Sequence, residues 1–202
     1  MHIVEVRNYS EPPIDRKEIL RYAGAVEGEP TIDALLEECL AETRGKLTYR
    51  VCFCELPIQR CEDGLLLGSL NVSSKDLQKN LQGCQSVVVF AATVGLELDR
   101  LIARYARVIP SKALLFQAIG AERIEALCDQ FNLDIKNAKR EAGASLRPRF
   151  SPGYGDFPLA VQRELFAILD CTKKIGVSLN ESLLMSPSKS VTAIIGISND
   201  PH

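Results

Sequence analysis

Apolar positions along the chain follow two spacings, and each spacing predicts a different kind of element. A repeat of three to four residues marks helices, and polar residues at Asp15, Thr31 and Ser73 or Ser74 are the predicted N-caps. Gly24 is the predicted end of the first helix. The predicted helices cover residues 15–24, 32–44, 74–81, 95–105, 111–136 and 157–169.

The predicted strands differ in how their faces are covered. Residues 47–54 alternate, with Tyr49, Val51 and Phe53 on one side, so this strand should have one face in the core and one toward solvent. Residues 86–92 are apolar throughout, so we expect a strand with both faces covered. The other predicted strands cover 2–6, 65–68 and 191–198, and 136–144 is predicted to be irregular.

Composition then narrows the class of protein. The chain shows no internal repeat or linker, so we expect one mixed α and β domain over residues 1–202. A net charge of −2 with scattered lysines and arginines argues against nucleic-acid binding. The sequence has no apolar run of about 18 residues, so no membrane span is predicted. The N-terminus is too polar for a signal peptide, so the expected location is the cytoplasm.

The seven cysteines do not form a metal-binding pattern. Their number is odd, no Cys-x-x-Cys pair occurs, and only two histidines are present, so we expect no metal site. Buried, reduced thiols are the expected state in a cytoplasmic chain. A redox or metal role for Cys52, Cys54 and Cys61 is the alternative.

The richest chemistry lies in residues 149–158. Pro152 and Gly153 predict a tight turn, because proline fixes one backbone angle and glycine permits positive φ. Arg149, just before the turn, offers a planar cation that suits a carboxylate. After it, Asp156 is predicted to cap, and Pro158 to begin, the helix that ends near 169. The alternative to a ligand site is a structural turn whose arginine pairs with a local acid.

Two blocks of the sequence resemble the activation domain of cobalamin-dependent methionine synthase. Arg149 to Tyr154 resembles its Arg-x-x-x-Gly-Tyr motif for S-adenosylmethionine (AdoMet). Residues 180–185 and 187–192 resemble its Thr-Glu-Ser and Pro-x-x-Ser-Val-Ser segments, in the same order and at a similar spacing. The match is poor over 1–80, so we separate that part from an AdoMet-motif part, 81–202.

The resemblance implies a fold and a set of site residues. It implies an α+β fold with a central, mostly antiparallel sheet and flanking helices. It assigns the AdoMet carboxylate to Arg149, and the adenine or amino-acid ends to the backbone at Ser151 and Gly153, around Pro152. It places Tyr154 against the ligand.

An acidic line on the long helix has two interpretations. Glu122, Glu125 and Asp129 fall on one side of that helix, where they could form a solvated face. The family has an AdoMet-contacting glutamate on the corresponding helix, nearest Ala126 in this chain. We therefore choose Glu125 as the acid that would contact the ligand.

The sequence also departs from the family pattern. Ser151 replaces a common alanine, and Gly155 replaces the proline that usually follows the tyrosine, which should loosen the turn. A family tyrosine beyond the last strand and an early acidic ligand residue have no clear equivalents. We expect weaker AdoMet binding, or a partner that completes the site.

The implied function is support for reductive methylation of cob(II)alamin. The chain has no Asp-x-His-x-x-Gly cobalamin motif, so cobalamin would be carried by a partner, the methionine synthase core or a related corrinoid protein. A flavodoxin- or ferredoxin-like protein would donate the electron. Lys189 and Ser190 are candidates for facing the corrin edge, or lie in an ordinary exposed turn. The alternatives are an AdoMet-binding accessory factor for another corrinoid methyltransferase, and a non-enzymatic scaffold of the same fold.

Overall fold

A computed structural model describes residues 2–140 and 143–198. Its strands are β1 (Glu5–Tyr9), β2 (Tyr49–Cys61), β3 (Gly64–Leu67), β4 (Leu70–Val72), β5 (Cys84–Thr93), β6 (Ser145–Leu146), β7 (Ser178–Leu179), β8 (Met185–Ser186) and β9 (Ser190–Ser198). Its helices are α1 (Arg16–Ala23), α2 (Pro30–Thr43), α3 (Lys75–Asn80), α4 (Glu97–Tyr105), α5 (Pro110–Arg140), α6 (Gln162–Leu169) and α7 (Cys171–Ile175), and a 3-10 turn covers Leu159–Val161.

One sheet organises the molecule. Its strand order is β4-β3-β2-β5-β9-β6, and β1 pairs with the first half of β2. Each pairing in this sheet is antiparallel. Strands β7 and β8 form a separate two-stranded sheet. The fold is therefore α+β with a mostly antiparallel central sheet and flanking helices, as predicted.

Helices cover both faces of this sheet. Side chains of α1, α2, α4 and α5 share a core with one face, and those of α3, α6 and α7 share a second core with the other. Strand β5 contributes Phe90 to the first core and Val89 to the second, so the prediction of a strand covered on both faces is confirmed.

Strand β2 corrects one prediction. Its residues alternate as expected, with Val51 and Phe53 in the first core. However, Cys52 and Cys54 are also buried, in the second core, because α6 and α7 pack against that face. The expectation of a solvent-facing side was wrong, since reduced cysteine packs as a small apolar residue.

The helix ends agree with the sequence in part. Asp15 and Ser74 cap α1 and α3 as predicted, and Gly24 ends α1 with a φ of 67°. Thr31 is not a cap, because α2 begins at Pro30, whose ring suits the first helical turn. Helix α5 continues to Arg140, so residues 136–140 are helical and not irregular. Residues 141 and 142 of that predicted connection lie outside the described residues.

A buried ion pair fixes the N-terminal segment to α5. Arg123 is 1% exposed, and its Nε donates to Glu122 Oε2 at 2.5 Å. Its two terminal nitrogens donate to the carbonyls of Pro12 and Pro13 at 2.6 and 2.7 Å. The backbone N–H of Asp15 donates to Glu122 Oε1 at 3.0 Å. The side chains of α5 therefore hold residues 12–15 in place.

None of the helices in the described ranges combines the length and apolar character needed to cross a membrane.

Candidate functional site

The segment that follows β6 runs along the outer edge of β9. Phe150 exchanges two backbone hydrogen bonds with Ile194, each 2.9 Å long, and Arg147 donates its N–H to Gly196 O. These bonds bring the segment beside Val191 and Ala193, which lie on the face of β9 that packs toward α5. The segment therefore places Arg149 between the edge of the sheet and α5.

The predicted tight turn is present. Tyr154 N donates to Ser151 O at 3.2 Å, with Pro152 and Gly153 at the central positions. Gly153 has a φ of 95°, as the third residue of a type II turn requires. Its own N–H donates to Phe157 O at 2.8 Å, so this amide is already used by the turn.

Gly155 is required by the geometry of the turn, so the departure from the family's proline, which we predicted would loosen the turn, comes with its own constraints. It has a φ of 54°, and a Cβ at this position would collide with the carboxylate of Asp76. Tyr154 O accepts the N–H of Phe157 at 3.0 Å, which closes a second turn around Gly155. Glycine therefore meets both a steric and a conformational requirement.

Asp156 caps a different helix from the one predicted. Its carboxylate accepts the hydroxyl of Ser74 and the backbone N–H groups of Lys75, at 2.7 Å, and Asp76, at 3.1 Å. These hydrogen bonds, led by the one from Ser74, lower the pKa of Asp156. Asp156 thus joins the turn to the N-terminus of α3. The segment that follows Asp156 passes through a 3-10 turn before α6 begins at Gln162.

Arg149 pairs with two acids of α5. Its Nη2 lies 3.1 Å from Glu125 Oε2 and 2.9 Å from Asp129 Oδ1. Within residues 2–140 and 143–198, its Nη1 is buried and has no hydrogen-bond partner. The arginine is therefore held in place by local acids, as the structural interpretation expected, and still has an unused donor group.

A cleft of about 380 Å³ opens at this arginine. One wall is the 149–154 segment, and the other is formed by α5 and the start of β9. Tyr154 lies at its edge with 68% of its surface exposed. The lining residues are Glu125, Cys128, Arg149, Phe150, Ser151, Tyr154, Val191 and Ala193. The cleft thus combines a cation, an acid, the ring of Tyr154 and an apolar floor.

The floor of the cleft is chemically inert. Cys128 is 1% exposed, and burial raises the pKa of its thiol to about 12, although Arg149 acts in the opposite direction. The thiol is consequently neutral at pH 7 and a poor nucleophile.

A second, larger cleft of about 720 Å³ lies on the other side of the Arg149 ion pairs. Residues 12–22 form one wall and α5 forms the other. Glu125 lines both clefts, whereas Asp129 lines only the larger one and Arg149 only the smaller one. The ion pairs of Arg149 therefore form the boundary between the two clefts.

The structure brings most of the sequence-predicted site residues together. Arg149, Ser151, Tyr154 and Glu125 line the smaller cleft. Pro152 and Gly153 shape the turn that carries Ser151 and Tyr154, and they are not among the lining residues of either cleft. Besides Phe150, which lies inside the predicted motif but was given no role, the cleft residues that the sequence did not indicate are Cys128, Val191 and Ala193. Their only local signal is spacing, since Cys128 follows Glu125 by three helical positions and the other two alternate on β9.

Two other predictions concern the start of β9 and the acidic line. Ser190 is buried, and its hydroxyl bonds Thr93 Oγ1 and Pro187 O, so its proposed role at a corrin edge was wrong. Lys189 is half-buried, and its stem packs against Gly120 of α5. Glu122 is 3% exposed and paired with Arg123, so it is not part of a solvated face.

The cysteines and acids provide no metal centre in the described ranges. All seven cysteines are free thiols, and only Cys61 is exposed. No group of three or more histidine, cysteine, aspartate or glutamate residues in residues 2–140 and 143–198 is arranged to hold a metal ion.

Comparison with known proteins identifies the family. Residues 67–201 match the family model for the vitamin B12 dependent methionine synthase activation domain. One solved structure with a similar fold is the crystal structure of the MetH reactivation domain bound to AdoHcy. The two chains are 17% identical, with a TM-score of 0.73, and the match covers 98% of this chain and 79% of that chain. A search of curated proteins gave no significant match.

The family match extends over about two thirds of the sequence and includes the whole Arg149–Tyr154 turn. The chain therefore belongs to the vitamin B12 dependent methionine synthase activation domain family.

Proposed function

We propose that this chain binds AdoMet in the Arg149 cleft and presents it for reductive methylation of cob(II)alamin held by a cobalamin-binding methionine synthase core. The observation that carries the proposal is the buried Nη1 of Arg149, which has no partner among the described residues although Arg149 lines a cleft. A buried donor without a partner is costly, so a ligand oxygen that accepts from it gains affinity. The family and the AdoHcy ligand of the similar MetH structure support AdoMet as that ligand.

The residues of the cleft match the three parts of AdoMet. Arg149 suits the carboxylate of the amino-acid end. The ring of Tyr154 offers a flat surface to the adenine, and Glu125 offers a negative charge to the ammonium or the sulfonium. A volume of about 380 Å³ is within the range of pockets for ligands of this size.

The contribution of the chain is binding and orientation. When bound, AdoMet supplies the methyl group, while the cobalamin is carried by the partner and the electron comes from a flavodoxin- or ferredoxin-like protein. Arg149 and the turn fix one end of the ligand, and the exposed Tyr154 lies at the edge that a partner can approach. Holding two reactants in a fixed geometry lowers the entropic part of the barrier. The neutral Cys128 thiol does not compete for the methyl group, because its pKa is raised to about 12.

Calorimetric titration tests the binding step. AdoMet titrated into the purified chain should give a saturable heat, and the thermal midpoint of unfolding should rise with ligand concentration. Absence of both signals at roughly millimolar AdoMet, far above the concentration expected for a specific site, would refute the proposed site.

A reactivation assay tests the function. The chain is mixed with a methionine synthase core in the cob(II)alamin state, AdoMet and a low-potential reductant, and methylation is followed by visible absorption. Methylation that depends on both the chain and AdoMet supports the proposal. If methylation depends on the chain only with a different corrinoid protein, the chain is an accessory factor for another methyltransferase. If methylation does not depend on the chain with any corrinoid partner, the chain is a scaffold.

A further inference from the structure

Arg149 is neutralised within its own chain by an acid that does not belong to its cleft. Asp129 Oδ1 lies 2.9 Å from Arg149 Nη2, yet Asp129 lines the larger cleft and Arg149 the smaller one. A ligand carboxylate that binds Arg149 must therefore share this cation with Asp129, or displace it.

The two acids on Arg149 differ in how firmly they are held. The side chain of Asp129 is 74% exposed, and that of Glu125 is 47% exposed. Glu125 also lines both clefts, whereas Asp129 reaches Arg149 from outside its cleft. Exposed ion pairs contribute little, because solvent screens them and the side chains lose freedom, so Asp129 is released at low cost.

We propose that Asp129 is a displaceable counter-ion that occupies Arg149 until a ligand carboxylate replaces it, and that this exchange makes the site selective for ligands with a free carboxylate. This inference rests on the proposed AdoMet function. In the exchange, the ligand carboxylate binds the guanidinium, and Asp129 turns into solvent along the larger cleft. Glu125 stays beside the ligand as the partner of its cationic groups.

The proposal assigns opposite effects to two acids that touch the same nitrogen. Removing the charge of Asp129 removes a competitor, so Asp129→Asn should tighten AdoMet binding about two- to fivefold, the scale of an exposed ion pair. Removing the charge of Glu125 removes a ligand contact, so Glu125→Gln should weaken AdoMet binding by about threefold or more.

The experiment is a calorimetric titration of the full chain with AdoMet and with decarboxylated AdoMet. The tighter binding of Asp129→Asn should appear with AdoMet and be absent with decarboxylated AdoMet, which has no carboxylate to compete with. The matched control is Asp134→Asn, which removes the same charge from the same helix at a residue that bonds Tyr9 and not Arg149. Asp134→Asn should show no gain, which separates the local exchange from a change in overall charge.

The outcomes distinguish this inference from the function on which it rests. Unchanged or weaker AdoMet binding by Asp129→Asn, with a wild-type chain that binds, overturns the counter-ion role alone. An equal gain with decarboxylated AdoMet, or in the Asp134→Asn control, also overturns it. Failure of the wild-type chain and of Asp129→Asn to bind AdoMet overturns the proposed function and this inference together.

Discussion

Arg123, on α5, and Arg149, beside α5, differ in how completely the rest of the chain satisfies their hydrogen-bond donors. Arg123 is buried, and each of its three guanidinium nitrogens donates to Glu122, Pro12 or Pro13. Arg149 uses Nη2 for two partly exposed acids, while its Nη1 is buried without a partner in the described residues. The difference separates a structural cation from the one to which we assign the ligand.

The two arginines also differ in whether they anchor another segment or are themselves anchored. Arg123 and Glu122 anchor residues 12–15. Arg149 is itself held, through the hydrogen bonds of Phe150 to β9 and the turn around Gly155. A buried cation whose donors are all used stabilises the fold only while all of its partners remain. A cation that is held in position by the backbone around it, and that has spare donors, can exchange partners.

The largest expected effect is on Arg123. Arg123→Met should lower the free energy of unfolding by about 3–5 kcal/mol, because it leaves Glu122 buried without its partner. Denaturant unfolding measures this loss. The double variant Glu122→Gln/Arg123→Met should recover part of it, since no unpaired charge remains. A loss below about 1 kcal/mol in the single variant would contradict the structural role.

Substitution of Arg149 should affect AdoMet binding more than it affects stability. Arg149→Ala should change the free energy of unfolding by less than about 1 kcal/mol, because its acids are partly exposed. It should weaken AdoMet binding by about 1.5–3 kcal/mol, the scale of a charge-assisted hydrogen bond. Titration and unfolding of the same samples measure both quantities, with the exposed Arg100→Ala as control. A large loss of stability with unchanged AdoMet binding would show that Arg149, like Arg123, has a structural role.

The support beneath Arg149 can be tested at Gly155. Gly155→Ala should lower the free energy of unfolding by about 2 kcal/mol, because alanine there is strained and collides with Asp76. Gly24→Ala is the control, since Gly24 also has a positive φ, of 67°, but open space around it. It should cost only about 1 kcal/mol. Equal losses measured by denaturant unfolding would show that the contact with Asp76 does not matter.

The smallest effect is a pH dependence at Cys128. Burial raises the pKa of this thiol to about 12 in the folded chain, whereas an unfolded cysteine has a pKa of about 8.5. The folded state holds the proton more tightly, so this stabilisation is complete below the unfolded pKa and is lost as pH rises toward the folded value. Between about pH 7.5 and about pH 9.5, Cys128 should contribute a loss of roughly 1 kcal/mol.

The measurement compares wild type with Cys128→Ala at both pH values. The difference in free energy of unfolding between the two proteins should shrink by that amount at the higher pH. Comparison with the variant cancels the contributions of other buried thiols, such as Cys39 and Cys54, whose pKa values burial raises to about 11. A difference that does not change with pH would show that Cys128 is solvated when Arg149 is free of ligand.

Local patterns in the sequence predicted the central elements well. Strands β5 and β9 and helix α5 follow from their apolar patterns, because such patterns are set by the geometry of each element alone. The turn after Arg149 follows from Pro152 and Gly153 for the same reason. The alternating pattern of β2 did not predict its second buried face, although burial was the expected state of the Cys52 and Cys54 thiols.

The parts of the site that the sequence missed come from distant segments. Cys128 and Val191 meet Arg149 only after α5 and β9 have packed, and no local pattern encodes that contact. Asp156 was assigned to the following helix because an aspartate before a proline is a common cap, whereas its partners lie about 80 residues earlier. The turn motif was therefore predictable, and the walls of its cleft were not.

The cap that Asp156 places on α3 gives the site a reporter in another part of the chain. The amide hydrogens of Lys75 and Asp76 are covered by the Asp156 carboxylate, and Asp156 N donates in return to Asp76 Oδ2. Because both amides bond to the Asp156 carboxylate, their exchange with solvent deuterium should be slowed while the turn stays against the end of the helix. A molecule that steadies the turn should slow exchange at Lys75 and Asp76 without touching either residue.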